Sequence, residues 1–143
     1  MNNKTDKSNM FQSIWDFPEN IIDAVKLSES ILLNDIYDDV NKIIIAGMGG
    51  SAIGGDVVNS LIKEDIKFPY FVNRGYDIPA WTDSSTLVIC SSYSGNTEET
   101  ISVLKKAKSV NAKVIGITTG GTLESLCIES VSYTHLTLPT TSP

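Results

Sequence analysis

Residues 90–100 read CSSYSGNTEET. Ser91, Ser92 and Ser94, with Tyr93, Gly95 and Asn96 among them, lie between the apolar run TLVIC and the helical pattern TEETISVLKKAK, which Thr97 opens with a fourth short hydroxyl. Hydroxyls and free backbone N–H groups are neutral hydrogen-bond donors, and a helix N-terminus adds the positive end of its dipole. Such a group suits one phosphate monoester. No lysine or arginine lies in the stretch, and the GxxxxGK-Ser/Thr pattern of a nucleoside triphosphate loop is absent. A Ser/Asn turn that merely caps a helix is the simpler alternative, but capping needs one such residue rather than four.

A second turn of this kind is AGMGGSAIGGD, residues 46–56. Gly49, Gly50 and Ser51 are best placed to touch a ligand, and Gly54 and Gly55 read as close helix packing. Gly47, Gly49 and Ala52 also fit G-x-G-x-x-A, which raises a dinucleotide site as an alternative. That site calls for an acidic residue at the end of the next strand, where Asn73 and Arg74 stand instead.

The elements that must hold these turns alternate along the chain. Residues 18–33 carry apolar residues at helical spacing behind Pro18. The runs at 42–47, 69–72, 86–90 and 113–118 are short, apolar and rich in β-branched residues, as buried parallel strands are. Helices are predicted over 51–63 and 96–109, with Asn96 and Glu99 spaced as a capping box. A further helix begins at 122–127. The order predicts an α/β fold: a three-layer, flavodoxin-like parallel sheet flanked by helices, joined by right-handed crossovers and cut short after its fourth strand.

The whole chain sets limits on its partners. Its 143 residues, 41% hydrophobic and 20% charged, suffice for one globular domain. A net charge of −6 disfavours nucleic acid and anionic membrane surfaces as partners. Lys105, Lys106 and Lys108 read as a solvated helix face. Two cysteines, Cys90 and Cys127, make no disulfide framework and no metal-ligand spacing. No apolar run reaches the roughly 18 residues of a membrane span. The polar N-terminus lacks a signal-peptide core, so the cytoplasm is the expected compartment.

Residues 132–143, SYTHLTLPTTSP, break the pattern: Thr and Leu alternate, and no Asp, Glu, Lys or Arg appears. The stretch resembles a translated adaptor. The expected division is a domain over 1–131, incomplete at its C-terminal end, and a non-native or disordered tail over 132–143. His135, the only histidine, falls in that tail and is not expected to be catalytic.

Taken together, GMGGSAIGGD and SYSGNTEET resemble the sugar isomerase (SIS) domain, and within it the bifunctional phosphoglucose/phosphomannose isomerases. RGYDIPAW, ITTGGTLESL and FPENI also fit that subgroup, so the resemblance covers roughly residues 10–130. It implies the N-terminal half of an enzyme with two SIS domains that interconverts an aldose 6-phosphate and fructose 6-phosphate, without metal or cofactor, as a homodimer. It assigns substrate contacts to Gly49, Gly50, Ser51, Ser92, Ser94 and Thr97, and it makes a phosphorylated hexose the expected partner.

Isomerisation through an enediol also needs a carboxylate base and a ring-opening acid–base group. The resemblance puts both in a second SIS domain, so the catalytic residues are not expected in this chain. Glu98 and Glu99, in the first turn of a helix, read as structural acids that favour the dipole. Asp56 reads as facing solvent or a neighbouring helix. The alternatives are another SIS enzyme acting on an amino sugar or pentose phosphate, and a SIS module that senses a phosphosugar.

Overall fold

The computed structural model describes residues 6–29, 35–129 and 133–137, the last stretch by its backbone. The chain divides into two units, one ending at Leu32 and one running from Leu33 to the end. The first holds α1 (Met10–Trp15), which the sequence reading does not predict, and α2 (Phe17–Glu29). Phe11 and Trp15 stack one turn apart on α1, with ring centres 6.1 Å apart. Residues 30–33 of the predicted first helix lie outside the described residues.

The second unit is a five-stranded parallel sheet in the order β2-β1-β3-β4-β5. The strands are β1 (Lys42–Ala46), β2 (Tyr70–Asn73), β3 (Thr86–Ser92), β4 (Lys113–Thr118) and β5 (Tyr133–Thr137). α3 (Gly49–Ile62), α4 (Glu98–Ser109) and α5 (Gly121–Ile128) connect them. Alternation along the strands decides which helix covers which face. Ile44, Ala46, Val88, Cys90 and Val114 point to one face, where Val103, Leu104 and Ala107 of α4 and Leu123 and Cys127 of α5 close the core. Ile45 points to the other, where Gly55 of α3 sits so close that an added Cβ would lie 3.0 Å from the Ile45 side chain. The result is the predicted three layers. Gly55 serves helix packing, as the sequence reading has it.

α4 shows why its sequence is helical and which face it buries. Thr100, Val103, Leu104 and Ala107 are its buried residues, at the i, i+3, i+4, i+7 spacing of one stripe. The opposite, amino edge of the sheet is tied by ions. Lys42 reaches Asp83 at 2.5 Å, and Lys113 pairs with Asp39. The hydrogen bond from Lys42, then that from Ser85, holds the Asp83 carboxyl well below its ordinary range. Lys113 lowers Asp39 in the same way. A carboxyl lowered by folding adds stability that is present above its unfolded value and is lost as pH falls through the folded one.

Two elements depart from the sequence reading. α3 starts at Gly49, not Ser51, so Gly49, Gly50 and Ser51 all lie in its first turn. The expected tail contributes a strand: Tyr133–Thr137 pairs in parallel with β4, from Val114↔Tyr133 to Thr118↔Thr137. The physical reason is the edge. Without β5, β4 would present a row of unpaired backbone groups, and an alternating, threonine-rich segment has the strand propensity to pair with them. Residues 138–143 of the expected tail lie outside the described residues.

Thr100 generates a test of this packing. It is 1% exposed, and its Oγ1 has no hydrogen-bond partner among the described residues. A buried hydroxyl left unpaired costs about 1–3 kcal/mol, and valine has nearly the same shape. Thr100→Val should therefore raise unfolding free energy by about 1 kcal/mol in urea melts. A loss of stability would mean that the hydroxyl is bonded.

Candidate functional site

β1 and β3 are neighbours at the centre of the sheet, and their outgoing connections diverge: α3 leads to β2 on one side, α4 to β4 on the other. At such a switch point the chain opens a crevice beyond the carboxyl ends of the strands. The register brings the two candidate turns there together, since Ala46 of β1 lies opposite Cys90 of β3. Their contact is direct. A Cβ on Gly47 would stand 3.1 Å from the Ser91 carbonyl oxygen and 3.1 Å from the Ser51 Cβ. Glycine is what lets the first turn touch the second.

On the β1 side, Gly49 and Gly50 are exposed, with open space where a side chain would be. Gly49 has φ +52°, a left-handed backbone that glycine adopts without strain. Ser51 beside them is half-buried. Met48 is the N-cap of α3 and makes no side-chain capping bond.

On the β3 side the hydroxyls separate into two kinds. Ser92, the last residue of β3, is only 2% exposed. Its Oγ accepts a bond from the Gly95 N–H at 3.1 Å and lies 2.8 Å from Thr97 Oγ1. Ser92 therefore closes the turn from within. Ser94 is exposed, whereas Thr97 is half-buried and its Oγ1 meets Ser92 Oγ. The pattern of β3 carried the signal for this difference. Burial alternates along the strand through Thr86, Val88 and Cys90, and the same period sets Ser92 on the core face.

The turn is held from the β4 side. Tyr93 O accepts from Thr119 Oγ1 at 2.6 Å, and Gly95 O accepts from Leu123 N at 2.8 Å. A Cβ on Gly95 would fall 1.7 Å from the Gly120 carbonyl oxygen. Glycine at 95 is therefore required by the close approach of Gly120. For Asn96 the sequence reading is corrected. The N-cap of α4 is Thr97 rather than Asn96, and Asn96 Oδ1 instead accepts from Thr122 N at 3.0 Å and Thr122 Oγ1 at 2.9 Å. No capping-box bond is made.

The charges near the crevice are mostly paired. Arg74, beyond β2, pairs with Asp56 of α3, which is what Asp56 faces. Lys106 pairs with Asp77 and bonds the Tyr76 carbonyl at 2.9 Å. Glu98 and Glu99 stand in the first turn of α4, as predicted. The Glu99 charge, above all, raises the Tyr76 phenol. His135 lies on β5 opposite Gly116. Among the described residues no group of three or more His, Cys, Asp or Glu is arranged to hold a metal. No helix among them is long and apolar enough to cross a membrane. In the first unit, Phe11, Ile14, Trp15, Pro18 and Glu19 line an apolar depression without the donors of the crevice.

Fold and crevice define a doubly wound α/β domain with its donor-rich turns gathered at the carboxyl edge. Residues 36–134 match the family described as SIS domain, and the chain belongs to that family. It is 45% identical over 130 residues to the bifunctional phosphoglucose/phosphomannose isomerase of Caldicellulosiruptor bescii, covering 91% of this chain and 38% of that protein. It is 41% identical over 109 residues to the enzyme of the same name from Thermoplasma volcanium, covering 76% of this chain and 34% of that one. Among solved structures it superimposes with TM-score 0.71 on the C-terminal domain of glucosamine-fructose-6-phosphate aminotransferase from Francisella tularensis. That match has 23% identity, covers 90% of this chain and 38% of that one, and concerns the fold alone. The chain spans little more than a third of the length of the two curated relatives.

Gly95 provides the sharpest test of the site's construction. Its φ of +67° costs about 1–2 kcal/mol for any residue with a Cβ. Overpacking against Gly120 adds about 1–3 kcal/mol. Gly95→Ala should destabilise by about 3 kcal/mol in chemical melts, whereas Gly54→Ala, where nothing lies within 4 Å, should be neutral or stabilising. Equal effects at the two positions would sink the account of the contact.

Proposed function

We propose that this chain is the phosphosugar-binding half of an aldose–ketose isomerase that interconverts glucose 6-phosphate or mannose 6-phosphate with fructose 6-phosphate. The observation that carries the reading is the open N-terminus of α4. At α5 the first-turn N–H groups of Thr122 and Leu123 are taken up by Asn96 and Gly95. At α4 no side chain caps the helix, and the exposed Ser94 and half-buried Thr97 lie just ahead of its first turn. The names of the relatives supply the reaction, and the crevice supplies one part of it.

In this reading the phosphate sits over the first turn of α4. It accepts hydrogen bonds from Ser94, Thr97 and the exposed backbone N–H groups. Gly49, Gly50 and Ser51 bound the opposite wall and hold the sugar, with their glycines allowing close approach. Ser92 acts indirectly, by fixing Thr97. The chain's own residues thus bind and orient the substrate. The base that moves the proton between carbons and the group that opens the ring come from the remainder of the full-length protein. That protein works as a homodimer in the cytoplasm, with no metal or cofactor.

Calorimetry with fructose 6-phosphate tests the binding. Each charge-assisted hydrogen bond contributes about 1.5–3 kcal/mol, so Ser94→Ala should weaken affinity about ten-fold or more, while its exposed bond from Asn96 N–H makes the loss of stability small. Ser92→Ala should lower both affinity and stability, the latter by about 0.5–1.5 kcal/mol. Unchanged affinity in Ser94→Ala would overturn the assignment.

A coupled dehydrogenase assay tests the division of labour. The 143-residue chain should produce no glucose 6-phosphate from fructose 6-phosphate at enzymatic rates. Loss of a general acid–base group alone costs about 10²–10⁴-fold. Turnover of about 1 per second or faster would mean that Glu98, Glu99 or His135 performs the chemistry.

A further inference from the structure

We propose that Asn96 is a positioning residue for the phosphate cradle, capping α5 from the neighbouring turn and so fixing the orientation of Ser94 and Thr97. This rests on the functional reading above, which makes residues 92–97 the cradle. α5 has no cap of its own, because its N-cap is Gly120, which has no side chain. The Asn96 side chain fills that place from another loop. The direction of its bonds is fixed by chemistry: the Thr122 N–H can only donate, so the Asn96 oxygen must face it. The Nδ2 group then turns back to the Ser94 carbonyl at 3.2 Å. The Asn96 N–H donates to Ser94 Oγ, also at 3.2 Å.

One residue thus joins three things: the backbone of Ser94, the hydroxyl of Ser94 and the first turn of α5. The space around it is tight. A Cβ on Gly121, which has φ +77°, would lie 2.6 Å from the Ser94 carbonyl oxygen and 3.0 Å from both Asn96 amide atoms. Asn96 itself is exposed, so burial does not account for the choice of side chain. Alanine would leave the Thr122 N–H without its acceptor and free the 93–97 turn to rotate about its two ends. Aspartate would keep the acceptor in place and lose only the Nδ2 bond.

The experiment uses the whole chain with Asn96→Ala and Asn96→Asp. Amide hydrogen exchange is read at Thr122, with Ile44 and Val88 as reporters of the core, and calorimetry is run with fructose 6-phosphate and with inorganic phosphate. In N96A, Thr122 should exchange faster while Ile44 and Val88 stay protected. Affinity for both probes should fall by a similar factor, about five- to ten-fold, the equivalent of one lost helix cap. A residue needed only for stability would change core protection and leave the affinity of the folded chain alone. N96D should restore Thr122 protection, and should N96A prove unfolded, this variant decides. Unchanged Thr122 exchange in N96A, or lost protection in N96D, overturns the cap. Faster exchange with unchanged affinity overturns the positioning role. Failure of the unaltered chain to bind either probe overturns the functional reading instead, and Thr122 exchange still judges the cap.

Discussion

The backbone contact between Gly95 and Gly120 sets the geometry on which the rest of the crevice depends. Two turns leave adjacent strands, β3 and β4, and converge until no side chain fits between them. That approach lets Gly95 O reach Leu123 N and lets Asn96 reach Thr122. The N-terminus of α5 is thereby satisfied by its neighbour. A helix N-terminus holds several N–H groups that need acceptors. With α5 supplied from within, α4, like α3, is left without a side-chain cap. Removing the contact would therefore alter both helices, not one turn.

The sheet explains why such a contact can be rigid. β3 and β4 are paired over Leu87–Ser92 and Lys113–Thr118, and both lie inside the sheet. Their carboxyl ends cannot separate without breaking ladder hydrogen bonds. On the core face, Val88, Cys90 and Val114 lie beneath α4 and α5, so the helices that follow the two turns share one hydrophobic cluster. The turns are short connections between elements that are each fixed by burial. On the other side of the switch point the constraint is lighter. α3 packs Gly55 onto Ile45, but Gly49 and Gly50 at its start stay exposed, with open space around them.

Much of this was legible in the sequence, for identifiable reasons. Interior parallel strands are apolar on both faces, so KIIIA and TLVIC could hardly be anything else. The α4 stripe is legible because one face of it is buried. Element boundaries failed where the local signal had two readings. Asn96 and Glu99 have the spacing of a capping box, yet the same asparagine serves a helix that starts some 25 residues later in the chain, and no local pattern encodes that partner. The glycines of GMGGS masked the true start of α3, since their helix propensity is low. β5 was missed because edge pairing depends on the vacant side of β4 and not on the segment alone. In the site, the cluster of hydroxyls is visible in the sequence, but their division follows only from a strand that runs two residues past Cys90, to Ser92.

The distribution of charge follows from these positions. A phosphate dianion usually meets arginine or lysine, but neither stands in the turns at 46–56 and 90–100, and Arg74 and Lys106 are engaged with Asp56 and Asp77. Both pairs are substantially exposed, so each contributes little stability and could be lost at small cost. Glu98 and Glu99 add negative charge at the helix start. An anion here must therefore be held by donors in fixed positions and by the helix dipole, not by net charge. Such binding falls off steeply with small displacements of the donors. That is why the crevice is built from glycines in close contact and from side chains that brace one another.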